Sequence, residues 1–200
     1  DLPGFENGNI AILYFGAMGV ANGVSYIPRL ASELRRLTGK DVFKFYLLGD
    51  GAKRHEAEQL AEKLGVLNSS VFFLGRVTKQ EVARWLDAAD ATIMTYDGPA
   101  VVFRDSVSNK FFDSLAARKP IIANFAGFST LSAAEVGAGF IVDRDPAIAA
   151  KSLLELVKEP DLFVKAGNAA FNLAVQRFSR DTLGEQLERI LQNVVNEKRK

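Results

Sequence analysis

Apolar residues in this chain fall into short continuous runs, separated by stretches whose apolar positions recur three and four apart. The runs cover 10–15, 42–48, 71–74, 91–96, 120–124 and 139–142. They do not alternate with polar residues, which is the pattern of strands buried on both faces of a parallel sheet. Between them, Val24, Ile27, Leu30, Leu34 and Leu37 make one helical stripe, and Leu60, Ala61 and Leu64 end a second before Gly65. Thr78 and Glu81 read as a capping box ahead of Val82, Trp85 and Leu86. Phe111, Phe112, Leu115 and Ala116 make a fourth stripe. Asp145 and Pro146 suit an N-cap and first helical position, opening three closing helices at 146–158, 161–177 and 180–196, the last capped by Ser179. The alternation predicts an α/β fold: a doubly wound, Rossmann-like parallel sheet of six strands in the order 3-2-1-4-5-6, with additional C-terminal helices. Residues 1–9, rich in Pro, Gly and Asn, read as a linker remnant, 10–196 as a single domain and 197–200 as a charged tail.

Composition narrows the chemistry. Of 200 residues 48% are apolar, enough for a core, and 25 basic residues nearly cancel 24 acidic ones. That balance argues against gripping nucleic acid by bulk charge. Without cysteine there is no disulfide scaffold or thiolate nucleophile, and the single histidine, His55, rules out multi-histidine zinc sites. The stretch 7–28 carries no charge, but Gly8, Gly16, Gly19 and Gly23 break it. It reads as a strand, a glycine turn and a helix start rather than a membrane span. No signal peptide is expected, and the compartment expected is the cytoplasm, free or at the inner face of the membrane. The chain opens on Asp1, so a piece of a longer protein is expected.

In a sheet of this order, ligands sit beyond the carboxyl ends of the strands at the switch point between strands one and four. That selects the loops 16–23 and 97–109. The first reads Gly16-Ala-Met-Gly-Val-Ala-Asn-Gly23. Glycines there let backbone approach a ligand, and the N–H groups of a helix start favour phosphate. The spacing is not the dinucleotide G-x-G-x-x-G, and a turn that simply needs glycine remains an alternative. In the second loop Asp105 and Asp113 are separated by seven residues, with a helix beginning near Ser108. A carboxylate at Asp113 can accept two ribose hydroxyls, while Lys110 and the helix start hold phosphate. A capped helix bearing a solvated acid is the other reading. Asp143-Arg-Asp145 matches the D-x-D of some sugar transferases, yet beside Pro146 a helix cap is the reading preferred. His55 reads as a surface residue.

The ordered set of motifs resembles the nucleotide-sugar-binding half of group 1 glycosyltransferases, of the GT-B fold type. It comprises Tyr14-Phe-Gly16, Phe45-Tyr-Leu-Leu-Gly-Asp-Gly51, Val71-Phe-Phe-Leu-Gly75 and Ala88-Ala-Asp-Ala91. Ser108-Asn-Lys-Phe-Phe-Asp-Ser-Leu-Ala-Ala-Arg-Lys-Pro-Ile121, Gly127 and Gly137-Ala-Gly-Phe140 complete it. The resemblance implies that Asp113 holds the ribose hydroxyls and that Asp105 lies near the transferred sugar, these two being the catalytic candidates. It implies that Gly16, Ala17, Gly19 and Asn22 face the pyrophosphate, with Ser108, Asn109 and Lys110 opposite, and that Arg76 lies where the base packs. The implied reaction is retaining transfer of a sugar from a nucleoside diphosphate sugar, UDP-linked by family preference, to a polysaccharide or lipid-linked acceptor. Neither a metal nor a cofactor is expected. The expected partners are the nucleotide sugar and an N-terminal acceptor half that precedes this chain; membrane association is expected only through the whole protein or its acceptor. On this view the isolated chain binds nucleotide weakly and transfers nothing.

Where many members carry Arg and Lys on the first loop, this chain has Ala17 and Asn22. Charge-assisted hydrogen bonds contribute about 1.5–3 kcal/mol each, so pyrophosphate binding requires a substitute from Lys110, Arg104 or Arg76. Two other readings therefore stay open: a GT-B-type nucleotide-sugar epimerase, and a non-catalytic nucleotide-binding or interaction module.

Overall fold

The computed structural model describes residues 2–6, 8–159 and 161–197. Its strands are β1 Ile10–Phe15, β2 Phe43–Leu48, β3 Val71–Gly75, β4 Ala91–Met94, β5 Ile121–Ala123 and β6 Gly139–Ile141. They form one sheet in the order β3-β2-β1-β4-β5-β6, parallel at every pairing. The helices are α1 Tyr26–Thr38, α2 Arg54–Lys63, α3 Lys79–Ala88, α4 Ala100–Arg104, α5 Asn109–Ala116, α6 Phe128–Glu135, α7 Pro146–Leu156, α8 Leu162–Phe178 and α9 Arg180–Glu197.

The largely apolar runs follow from burial on both sides. In β1, Ile12 and Tyr14 join a cluster with Ile27, Leu30 and Leu34 of α1 and Ala149, Ala150 and Leu153 of α7. Ala11, Leu13 and Phe15 point the other way, toward Tyr46, Phe72 and Leu86 of α3. Further along that second face, Met94, Ile121 and Ala123 meet Phe111 and Leu115 of α5 and Ala170 and Leu173 of α8. The period of two thus sends alternate side chains into different cores.

Local signals set the helix starts. The Thr78 hydroxyl accepts from the Glu81 N–H at 3.2 Å while the Glu81 carboxylate accepts from the Thr78 N–H at 2.7 Å. Asp145 caps α7 by accepting from the Ala147 N–H at 2.8 Å, and Asp143 accepts from the Asp145 N–H at 2.7 Å. Both carboxylates of the D-x-D stretch are thereby bound to backbone.

Strand four stops short of the sequence expectation, because the Thr95 hydroxyl donates to the Asn22 carbonyl and the Tyr96 backbone exchanges hydrogen bonds with the side chain of Asn124, the residue at which β5 also stops short. Two helices were not expected from the pattern, α4 inside the second loop and α6. The segment ahead of β1 is held to the domain, since Tyr46 donates to the Pro3 carbonyl at 2.9 Å and Leu2 packs on the α3 cluster. Asp1 and Asn7 of the expected linker, and residues 198–200 of the expected tail, lie outside the described residues, and Glu197 closes α9.

An ion-pair cluster ties α1 to the strand edge. Arg35 donates to both oxygens of Asp41, at 2.5 and 2.8 Å, and also to the Gly65 carbonyl and the Ser69 hydroxyl. Burial pushes the Asp41 carboxyl up, but hydrogen bonds from Arg35 and Ser70 outweigh it and hold it below the usual carboxylate range. A lowered folded-state pKa adds stability that is present above the unfolded value of about 3.9 and is lost as pH falls through the folded one. Asp41→Ala should therefore remove roughly 2–3 kcal/mol at pH 7, less at pH 3, in urea melts. Equal losses at both pH values would contradict it.

Candidate functional site at the carboxyl ends of β1 and β4

The loop leaving β1 is bonded to both of its neighbours. Toward β2, the Gly16 N–H donates to the Leu48 carbonyl and the Met18 N–H to the Asp50 carbonyl, each at 2.9 Å. Toward β4, the Asp97 N–H donates to the Ala21 carbonyl at 3.1 Å and the Thr95 hydroxyl to the Asn22 carbonyl at 2.6 Å. A 3-10 turn at Val20–Asn22 closes it, with the Asn22 amide oxygen accepting from the Gly19 N–H at 3.0 Å. Asn22 thus shapes the loop through its side chain. Met18 is fully buried underneath, while Gly16 and Ala17 stay exposed.

Glycine is demanded where backbones cross. A Cβ on Gly49 would stand 1.9 Å from the Gly16 carbonyl oxygen, and Gly49 has φ of 134°. Gly16, at φ 119°, has a side chain in its way: a Cβ there would stand 2.5 Å from Lys110 Cε. The first loop and the start of α5 therefore touch, as the topology required.

Lys110 occupies the second position of α5. Its ammonium lies 4.8 Å from the centre of the Tyr14 ring. Tyr14 is buried and donates from its hydroxyl to the Ala17 carbonyl at 2.6 Å, which fixes the ring under the lysine. Burial pushes the Lys110 pKa down to about 8 and the Tyr14 phenol up. Tyr14 was missed as a site residue, because at the end of an apolar strand a tyrosine reads as core. Ser108 precedes α5 with extended backbone, its hydroxyl buried and without a partner among the described residues. Asn109 is exposed. One turn on, Asp113 is half-buried, and its carboxylate accepts no hydrogen bond among the described residues.

The other candidates lie further out. Arg76 follows β3, is 81% exposed and pairs with Asp50 at 3.3 Å. It lines a cleft of about 400 Å³ together with Gly16, Ala17, Gly49, Asp50 and Val82. Asp105 ends α4, exposed, with Arg104 donating to both of its oxygens. The Arg104 hydrogen bond holds the Asp105 carboxyl below the usual range. No hydrogen bond or ion pair joins Asp105 to another candidate among the described residues. His55 is exposed on α2. A second pocket, about 350 Å³, opens at the same end of the sheet between the starts of α1, α2 and α7. Two of its cations are already paired, Lys53 with Glu56 and Arg144 with Asp97.

Comparison with known proteins bears on the family and the fold. A family model described as "Glycosyl transferases group 1" matches residues 9–159. HepE from Anabaena, solved with UDP, superposes with a TM-score of 0.76 at 19% identity, over 93% of this chain and 49% of that one. TarM from S. aureus, also solved with UDP, gives 0.72 at 14% identity, over 94% of this chain and 36% of that one. The C-terminal domain of the group 1 family protein LpcC from Francisella tularensis gives 0.68 at 15% identity, over 86% of this chain and 87% of that domain. At these identities the likeness speaks for the fold. This chain spans half or less of the HepE and TarM chains, but most of the LpcC domain. No curated protein matches it in sequence.

Proposed function

The chain belongs to the group 1 glycosyltransferases, and on that premise we propose that it is the donor-binding half of a retaining enzyme that uses a nucleoside diphosphate sugar. The observation that carries this reading is the contact of Lys110 with Gly16, which brings a cation and a bare backbone loop together at the switch point. HepE and TarM were each solved with UDP, which supports a uridine nucleotide as the first to try. In this reading the diphosphate lies between 16–19 and the start of α5, Asp113 accepts the ribose hydroxyls, and the base lies toward Arg76. Asp105 stands nearer the transferred sugar.

The acceptor, a polysaccharide or a lipid-linked sugar, belongs to a preceding half, and neither a metal nor a cofactor is needed. The whole protein works in the cytoplasm. No described helix is long and apolar enough to cross a membrane. Closure of two halves completes such a site, so the chain alone binds donor without transferring sugar; measurable turnover by the 200 residues would overturn that part.

Calorimetric titration with UDP, GDP and ADP tests the binding. Heat with UDP supports the reading, and silence from all three at millimolar nucleotide favours a non-catalytic module instead. Asp113→Ala should weaken UDP by about ten- to a hundredfold, the worth of hydrogen bonds to a charged group. Unchanged affinity removes Asp113 from the ribose.

A further inference from the structure

The pocket of about 350 Å³ between the starts of α1, α2 and α7 takes no part in the donor reading. It opens beside the loop 16–23, on the face of the sheet that packs α1 and α7. The donor crevice lies on the other face, where Gly16 meets Lys110 of α5 and Val82 of α3 lines the cleft. One loop thus separates two openings at the same end of the sheet. In size the pocket falls within the roughly 300–1,000 Å³ of small-molecule sites.

Its walls carry one positive charge in excess. Arg29 of α1, Lys53 ahead of α2 and Arg144 ahead of α7 line it, against the carboxylates of Glu56 and Asp97. Lys53 pairs with Glu56 at 2.5 Å and Arg144 with Asp97 at 3.6 Å, all of them open to water. Pairs so exposed hold weakly, and an incoming anion can take over either cation. Arg29 is exposed and has no hydrogen-bond or ion-pair partner among the described residues, so it gives up nothing. Unused neutral donors add to the charge. The Ser25 hydroxyl caps nothing, although it precedes the first residue of α1. The N–H groups of Val24 and Ser25 donate to no carbonyl among the described residues. Asn124, 3% exposed, clips the ends of β4 and β5 together: its amide oxygen accepts from the Tyr96 N–H at 2.8 Å and its nitrogen donates to the Tyr96 carbonyl at 3.2 Å. Its second amide hydrogen finds no acceptor among the described residues, and a buried donor left open is unfavourable until something meets it. Tyr26, buried and tied by its hydroxyl to the Asp143 carbonyl at 2.7 Å, fixes one wall.

We propose that this pocket binds the phosphate or diphosphate group on which the acceptor sugar is carried. This rests on the donor-binding reading given above, and adds that the acceptor is a phosphate ester rather than a neutral polysaccharide. The cations stand on three different elements, so the ligand must offer several acceptor oxygens at once. A phosphate does, and guanidinium forks match its oxygens in pairs. The ligand is also the second substrate by its position. The donor's diphosphate is held across the loop, and the sugar that leaves it must meet an acceptor entering at the same end of the sheet.

Proton–nitrogen NMR spectra of the UDP-saturated chain, titrated with inorganic phosphate, pyrophosphate and hexyl diphosphate, test this. Sodium chloride at matched ionic strength is the control. Each probe should shift the amides of Val24, Ser25 and Arg29, and leave those of Gly16 and Asp113 as UDP set them. Arg29→Gln should weaken each probe at least about tenfold, the worth of one charge-assisted hydrogen bond, with UDP affinity and melting unchanged. Arg29→Lys should recover part of the loss. Hexyl diphosphate binding as tightly as pyrophosphate identifies an ester as the ligand. Pyrophosphate binding clearly tighter than the ester assigns the pocket to a free anion and overturns the acceptor. Shifts no larger than with chloride, or affinities untouched by Arg29→Gln, overturn the site itself and leave the donor reading standing. If UDP fails to bind, the donor reading falls and takes the acceptor with it, while the same titration without UDP still decides whether the pocket holds phosphate.

Discussion

Gly49→Ala should be the most damaging single-methyl change in the protein, removing about 3–5 kcal/mol in urea denaturation. The added carbon would stand 1.9 Å from the Gly16 carbonyl oxygen, a backbone atom that no rotamer change can move aside. The φ of 134° adds strain of its own, since a side chain rarely adopts it. Relief would require separating the end of β2 from β1, to which the Gly16 N–H to Leu48 bond joins it, and would disturb its bond to β3, where the Gly49 N–H donates to the Gly75 carbonyl at 2.6 Å. Typical domains have only about 5–15 kcal/mol in hand, so a large fraction of the margin goes. Gly39→Ala is the comparison: its φ is 69° with nothing within 4 Å of the added carbon, so it should lose only about 1–2 kcal/mol. If the two substitutions lower stability equally, the close crossing is not what requires Gly49.

Phe111→Ala should come close behind, at about 3–5 kcal/mol. Phe111 is fully buried and meets Phe112 and Phe178 edge-on, with ring centres 5.3 and 5.5 Å away. It anchors α5 against α8, and α5 carries both Lys110 and Asp113. The substitution should also lower UDP affinity in protein that is still folded, because the helix loses its seat. Phe112→Ala, at a ring 37% exposed, should cost less than half as much. Folded Phe111→Ala protein that binds UDP like wild type would separate core packing from site geometry.

The sheet was readable because its strands are short, largely apolar runs, broken only by Lys44 in β2 and Thr92 in β4, and runs of that kind admit few arrangements once crossovers are right-handed. The helix α6 was not. Its buried residues are Ser129, Thr130, Ser132 and Ala133, all small and three of them polar, so no apolar stripe marks it. Its start is set by Gly127, whose N–H donates to the Thr130 hydroxyl at 3.0 Å. In α4 the residues Ala100-Val-Val-Phe-Arg104 make barely one turn, too short for a period to show; Phe103 is buried while Val101, Val102 and Arg104 are exposed. At the site, the two loops followed from topology, and Lys110 from its place beside the helix start. Its contact with Tyr14 and Gly16 did not, since the partners lie far apart in the chain and no local pattern links them. The pairing of Asp105 with the adjacent Arg104 is equally silent in sequence, because whether neighbouring charges meet depends on the turn between them.

The bonds that sew the loop 16–23 to the strands on either side have a kinetic meaning. The loop is ordered when the sheet forms, so a nucleotide meets a backbone that is already in place and no segment of the loop has to close before contact is made. Encounter should then be fast and much alike for nucleotides of equal charge. Preferences among them should appear in how long each stays, and stopped-flow dissociation should separate UDP from GDP where association rates do not.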